Sequence, residues 1–305
     1  TPPPLRMGII GDGGFQLWSD DYGETFSEIT MADSPLEAAK TITWGDNRFL
    51  YGGAKSGATN AEGIWRHSTD GQTWVESETD IAFSATECVY GLERFACIRE
   101  DVLSSSTDGI TIDHQPPLHE YKMNAIVALA DRFVAVGRGG RQAVSRDGQT
   151  WSFETESNEP DPYHDLASNG DILVAVGGVN RYHVSVSNDK GESWIDVPFG
   201  NCLGNSLESI VYLNGLFIAQ GASDCHHNMN WSENGLTWNP ITALHPFDRH
   251  HLLGVHNDWV FGWTEDNSGH RYVTRSRDGS QWETVYQLPQ NTVLRDMASE
   301  SWVLQ

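Results

Sequence analysis

The sequence predicts an all-β ring: a seven-bladed β-propeller of four-stranded antiparallel blades, closed by N- and C-terminal strands that share one blade. Three observations carry this reading. A short turn motif recurs seven times along 305 residues, ending at Phe26, Trp74, Ile112, Trp151, Trp194, Trp238 and Trp282. The steps of 48, 38, 39, 43, 44 and 44 residues suit units of roughly 40–45 residues with four short strands. The 23 residues after Trp282 and the 26 ending at Phe26 make 49, one further unit split between the chain ends. An open stack of repeats needs capping units at its ends, whereas a ring closes with two half-units.

Within a unit the elements are hairpins. Residues 124–137 place two apolar runs around the polar turn Asp131-Arg132, and residues 42–51, 210–219 and 252–261 repeat that shape. No window keeps a long 3.6-residue period, so almost no helix is expected. Length alone would allow two domains, but the closed repeat makes residues 1–305 one propeller domain. Thr1-Pro2-Pro3-Pro4 reads as an exposed linker.

The recurring motif has its own physics. Its copies include Ser68-Thr69-Asp70-Gly71-Gln72-Thr73-Trp74 and Ser145-Arg146-Asp147-Gly148-Gln149-Thr150-Trp151. Ser, Asp and Thr side chains bond nearby backbone amides and hold a tight turn. Glycine takes the positive-φ position, and the final Trp buries a large apolar surface beside the turn. The motif resembles the Asp-box, or sialidase-type BNR, repeat, with Ile112 in place of the aromatic and Asn234 in place of the Asp. The resemblance implies that these boxes are structural and lie on the turn between the outer two strands, opposite the ligand face.

Composition narrows the function. The formal charge is −23, from 42 acidic and 19 basic residues, which argues against nucleic-acid or anionic-membrane binding. No apolar run approaches the ~18 residues of a membrane span. Cys88 and Cys97 flank the hairpin turn Leu92-Glu93 symmetrically, and Cys202 and Cys225 fall at one face of the sixth unit. Two disulfides and an extracytoplasmic location are expected, against the alternative of four free thiols in a reducing compartment.

In such a ring two loop sets share the functional face: those entering each innermost strand and those joining second to third strands. Hairpin alignment places Lys40, Thr86, Asn124, His164, Glu208, His250 and Arg295 in a column at the channel mouth. The next column is Thr41, Glu87, Ala125, Asp165, Ser209, His251 and Asp296. The second loop set spans 52–63, 99–101, 137–142, 177–183, 221–230 and 263–272. It carries much of the scarce positive charge. Candidate ligand-binding residues are Arg138, Arg141, Arg181, Tyr182, His183, Arg249, Arg271 and Arg295. Arg48, Arg94 and Arg132 sit in far-face hairpin turns and read as surface residues.

Candidate catalytic residues are His164, Glu208, His250 and Tyr163, as proton carriers beside cations that would hold a sugar carboxylate. Seven of twelve histidines lie between 226 and 270. A divalent metal is therefore an alternative cofactor, with His226, His227 and His251 as ligands. Adjacent strand residues such as His250 and His251 point to opposite sides, which weakens that set. His256, in a far-face turn, reads as structural. Trp263, Tyr182, Tyr163 and Trp231 are candidates for stacking on a sugar, while Trp44 and Trp65 suit packing between blades.

The leading expectation is a secreted, monomeric protein with a single site over the channel, acting on an anionic carbohydrate as a polysaccharide lyase or glycosidase. The Asp-box resemblance contributes that association, yet the Arg-Ile-Pro motif of sialidases is absent. The alternatives are a non-catalytic glycan- or protein-binding propeller, whether lectin or assembly factor, and a histidine-dependent metalloenzyme.

Overall fold

Each repeat folds as an antiparallel meander, and seven meanders stand around one axis. The computed structural model describes residues 5–31, 37–55, 63–79, 85–99, 102–115, 122–153, 161–179, 181–199, 206–221, 229–241 and 250–300. Blade 1 takes its inner strand, Leu294–Ser299, from the C-terminal part of the chain. Its other strands are Met7–Gly11, Phe15–Ser19 and Ser27–Thr30. Pairing of Ile9 with Met297 closes the ring. The remaining inner strands are Glu37–Gly45, Glu87–Gly91, Met123–Ala128, Tyr163–Ser168, Leu207–Leu213 and His250–His256, in blades 2 to 7. Each packs against its neighbours, and His250–His256 packs back onto Leu294–Ser299. Helix is confined to two 3-10 turns, Asp12–Gly14 and Arg138–Gly140, among the described residues.

One departure from the expected four-stranded pattern is in blade 3. The short strand Glu78–Thr79, from the connection leaving blade 2, pairs in parallel with the outer strand Thr111–His114. The Ser77 hydroxyl anchors that connection by donating to the Gly109 carbonyl at 2.7 Å.

The apolar core is divided into seven clusters, each lying between two neighbouring blades. This follows from strand alternation. Side chains of one parity face the preceding blade and those of the other face the next, so every blade is buried on both faces. Trp65 is buried between blades 2 and 3, and Trp44 packs on Phe49 between blades 1 and 2.

The seven turns interlock the blades. At each one the serine hydroxyl accepts the glycine N–H, at 2.8–2.9 Å. The acidic side chain accepts amides further along, as Asp70 does from Gln72 and Thr73, both at 2.8 Å. These amides hold the Asp70 carboxyl below its usual range, and Asp147 likewise, through Thr150 and Gln149. Asn234 keeps the same bonds through its amide oxygen, to Leu236 at 2.9 Å and Thr237 at 3.1 Å. That explains why the turn survives loss of the charge.

The turn glycines adopt φ of 67–90° and press against the preceding blade. A Cβ on Gly71 would lie 2.4 Å from Trp18, and one on Gly23 2.5 Å from Phe261. Gly109 and Gly148 meet the side-chain stems of Arg48 and Arg94. Arg132, buried, bonds Glu192 of the next blade and Asp131. These three arginines are thus not merely exposed turn residues: they bridge blades because the hairpin turn ends beside the neighbouring glycine turn. His256 is likewise buried, stacked on Tyr22 at 5.7 Å, and burial lowers its basicity.

Cys88 and Cys97 face each other across the inner and second strands of blade 3 and form a disulfide. Cys202 and Cys225 lie outside the described residues.

Gly71→Ala is expected to cost about 2–4 kcal/mol, combining left-handed strain of ~1 kcal/mol with overpacking of ~1–3 kcal/mol. Gly215→Ala, at positive φ with open space around it, should cost only the first part. Equal losses in urea unfolding would show that the turns do not lock the blades. Reducing the Cys88–Cys97 bridge, which spans nine positions, should lower unfolding free energy by about 2–3 kcal/mol. A thermal melt with and without reductant checks this.

Candidate functional site at the channel mouth

Inner strands all begin at the same face, and five carry a β-bulge there. The extra, unpaired residue is Lys40 in blade 2, Asn124 in blade 4, His164 in blade 5, Glu208 in blade 6 and Arg295 in blade 1. A bulge re-aims a side chain out of the pleat, so each blade delivers a different polar group to the rim. In blade 3, Thr86 holds the corresponding place, its N–H bonded to the Ile98 carbonyl at 2.7 Å.

Blade 7 departs from the aligned column. Its bulge falls at Leu253, nearer the turn, so that His250 pairs with Thr264 and His251 with Trp263. His250 therefore points inward, fully buried and stacked on Trp282 at 4.6 Å, instead of reaching the mouth. His251 stacks on Trp263 at 4.1 Å, with the Arg271 guanidinium 5.2 Å from the same ring.

Below the rim runs the second column, in the expected register: Asp296, Thr41, Glu87, Ala125, Asp165, Ser209 and His251 for blades 1 to 7. An inner strand has no partner on its channel side, so its amides need other acceptors. Ring side chains supply them from blade to blade. Asp296 accepts Ile42 N–H at 2.9 Å, Thr41 accepts Cys88 N–H at 3.0 Å and Glu87 accepts Ile126 N–H at 3.0 Å. Asp165 accepts Ile210 N–H at 2.7 Å, and Gln220, itself bonded by Ser209, accepts Leu252 N–H at 3.1 Å. Ala125 and His251 offer no carboxylate. There Asp165 and Asp296 use their second oxygen for their own strand, on Leu166 and Met297, each at 2.7 Å.

Three carboxylates thus stand deep in the ring, in blades 1, 3 and 5, part-exposed only to the channel. Desolvation pushes Asp165 and Asp296 up to about 7 and raises Glu87 well above its usual range. The neighbouring charges of Asp165 and Asp296 add to the Glu87 shift. Sequence alignment placed these residues together; their apolar successors Cys88, Leu166 and Met297 were the available signal for the enclosed position.

The other candidates divide by burial. His164 is half-buried, its Nδ1 2.9 Å from the Leu207 carbonyl. A carbonyl only accepts, so Nδ1 carries the proton and Nε2 of the neutral ring is an acceptor. Glu208 is exposed beside it on blade 6. Tyr163 is buried, its hydroxyl donating to Ser185 at 2.9 Å and its ring stacked on buried His183 at 5.0 Å. His183 Nε2 faces Asp196 at 3.3 Å, and Tyr182 is buried against Phe199. These three are buried in the seams of blade 5, Tyr163 and His183 towards blade 4 and Tyr182 towards blade 6. Arg138, exposed, opens the Arg138–Gly140 turn at the mouth, and Arg141, half-buried, follows it.

Several mouth cations are paired locally. Arg295 grips Asp12 through Nε at 3.1 Å and a terminal nitrogen at 2.6 Å, Arg181 pairs with Asp161 at 2.6 Å and Arg271 with Glu265 at 2.6 Å. Asp12 was not singled out from the sequence. It became visible only when the turn between second and third strands met the inner strand. Arg249, His226 and His227 lie outside the described residues. Among the described residues no three His, Cys, Asp or Glu side chains converge as a metal site.

No family model matches the sequence, and no curated protein matches it. The fold is shared with solved structures. "YCF48 bound to D1 peptide" superposes with a TM-score of 0.60 at 18% identity, over 86% of this chain and 89% of that one. YCF48 from Cyanidioschyzon merolae gives 0.59 at 12%, over 93% and 97%. A nidogen/laminin complex gives 0.52 at 8%, over 97% and 98%. These likenesses, with the closed strand order, make the chain a seven-bladed β-propeller.

The raised carboxyls set a pH dependence. Between about pH 4 and 7 the folded ring holds protons on Asp165 and Asp296 that the unfolded chain has lost, so stability falls as pH rises through that window. Asp70 and Asp147 act oppositely, losing their contribution as pH drops below about 4. Melting temperature should therefore decline from weakly acid to neutral pH, and Asp296→Asn should flatten the decline. A curve unchanged by that substitution would refute the assignment.

Proposed function

We propose that the protein is a single-domain, monomeric binding propeller that takes one polar polypeptide segment across the channel mouth, outside the cytoplasm. The observation that carries this is the bulge ring. It presents an ammonium, an amide, an imidazole, a carboxylate and a guanidinium at one rim. Seven equivalent sugar sites would need like residues in every blade, whereas this rim is built for one ligand with groups of both charges. Local pairing of Arg181, Arg271 and Arg295 with carboxylates lowers their pull on a polyanion. Of the structures sharing the fold, one is described with a D1 peptide and another with laminin. The Cys88–Cys97 bridge supports the location, since such bonds persist in oxidising compartments. The seven turns, with their shared hydrogen bonds, support membership of the Asp-box propellers.

A second reading keeps the acidic carbohydrate. The fixed tautomer of His164 leaves Nε2 as a proton acceptor beside exposed Glu208, an acid–base arrangement suited to a lyase or glycosidase. Tyr163 and His250 do not join it, being enclosed within their blades.

Peptide and acidic-glycan arrays probed with the wild type, Lys40→Ala and His164→Ala separate the two. Peptide binding should weaken roughly tenfold in each variant while the fold is retained. Turnover of uronate polymers, seen as new ultraviolet absorbance and lost in His164→Ala, would replace the binding reading with the catalytic one.

A further inference from the structure

The opposite half of the channel has a chemistry that the mouth does not use. A cavity of about 430 Å³ runs from Glu87 and Asp296 towards the far face. Its wall follows from strand alternation. Two residues beyond the carboxylate ring, the channel-facing positions become Thr43, Val89, Val127 and Ala298, an almost apolar collar. Ser168, Ser299 and the half-buried aromatic rings of Trp44 and Tyr90 line the outer part.

Beyond them the hairpin turns carry exposed acids beside the blade-bridging arginines: Asp46 pairs with Arg48 at 3.6 Å, and Asp131 with Arg132 at 3.3 Å and Lys190 at 3.0 Å. Asp46, Glu93, Asp131, Asp171 and Asp258 are exposed on the turns of blades 2, 3, 4, 5 and 7, and Glu300 follows the inner strand of blade 1. The far channel is thus layered, with carboxylates at its floor, an apolar sleeve, aromatic rings and a rim where acids stand beside arginines. Among the described residues no three His, Cys, Asp or Glu side chains converge there to hold a compact metal ion.

We propose that this half of the channel binds a primary ammonium group on a flexible alkyl chain, with the nitrogen at Glu87 and Asp296 and the chain in the apolar sleeve. Among the described residues no cation pairs with Glu87 or Asp296, and carboxylates without a counter-charge in an enclosed space favour an entering cation. Trp44 and Tyr90 add cation–π attraction along the way. A second ammonium, at the far end of a diamine, would stand near exposed Glu93, beside Tyr90 at the opening. The chemistry fits a free polyamine or a lysine side chain of a partner. It does not rest on the mouth reading: the nitrogen would stand at the ring below the rim, with the chain entering from the far opening.

Binding should release protons, because the floor carboxyls give theirs up to pair with the ammonium. Glu87 and Asp296 are the groups that face the ligand. Asp165 and His251 share their ring, and Tyr90, Asp46 and Glu93 stand towards the opening. Affinity should therefore rise with pH between about 6 and 8, and the heat of binding should depend on the buffer's ionisation enthalpy.

Calorimetry with putrescine, spermidine and Nα-acetyl-lysine methylamide tests the site on the intact chain. The expected result is saturable binding of one molecule per chain, weakened roughly tenfold or more in Glu87→Gln. That variant keeps an acceptor oxygen for the Ile126 amide, and its melting temperature reports that the ring is intact. Trp44→Leu should weaken binding without touching the floor. Tighter binding of the diamines assigns a free ligand, and tighter binding of the lysine derivative assigns a partner's side chain; both support the site. The proposal is overturned if none binds saturably at millimolar concentration. It is also overturned if Glu87→Gln binds like the wild type, or if sodium chloride of equal ionic strength reproduces the heat.

Discussion

The channel-side edge of the inner strands is the constraint on which the molecule depends. A blade pairs its inner strand on one side only, and closure of seven blades leaves the other side facing an axis too narrow to admit another strand. The freed amides are satisfied by side chains reaching sideways: Asp296 to Ile42, Thr41 to Cys88, Glu87 to Ile126 and Asp165 to Ile210. Each bond ties one blade to the next, so hydrogen bonding that cannot be made within a blade becomes the belt that holds the ring. Its cost is the crowding of three carboxyls in a desolvated space, which is why burial drives their proton affinities up.

The periphery repeats that logic with packing. A glycine turn from each blade presses on the blade before it, and seven apolar clusters fill the seams. With most apolar contacts between blades, no blade has a core of its own. Inner belt and outer turns therefore stabilise the same seams from opposite ends. The rim, the part left free of both, is where the chain varies its residues.

The two ends of the channel differ because bulges occur at one and tight hairpins at the other. A bulge adds a residue that no partner strand constrains, so Lys40, Asn124, His164, Glu208 and Arg295 are free to differ. A two-residue hairpin instead demands positive φ, as at Asp46, Asn47 and Asn257. Asn and Asp tolerate that region, which accounts for Asp46, Asn47 and Asn257 at the far opening. One face varies its residues at bulges, while the other is held by hairpin turns whose acids and arginines pair, as Asp46 does with Arg48 and Asp131 with Arg132.

The repeat spacing determined the blade number and the shared terminal blade, and the hairpin alignment placed the two channel columns except at His250, because periodic side-chain patterns survive in one dimension. The Cys88–Cys97 pairing was legible for the same reason, being local to one hairpin. Which side chains reach the mouth was decided only by tertiary structure. A bulge three residues further along turned His250 into the blade, and packing between blades buried His183 on Tyr163 at one side of blade 5 and Tyr182 on Phe199 at the other. The Arg295–Asp12 pair joins residues 283 positions apart, and the burial of Arg132 rests on a turn from the next blade. Bulge position and contacts between blades arise from how strands settle against neighbours distant in sequence, and no local pattern encodes them.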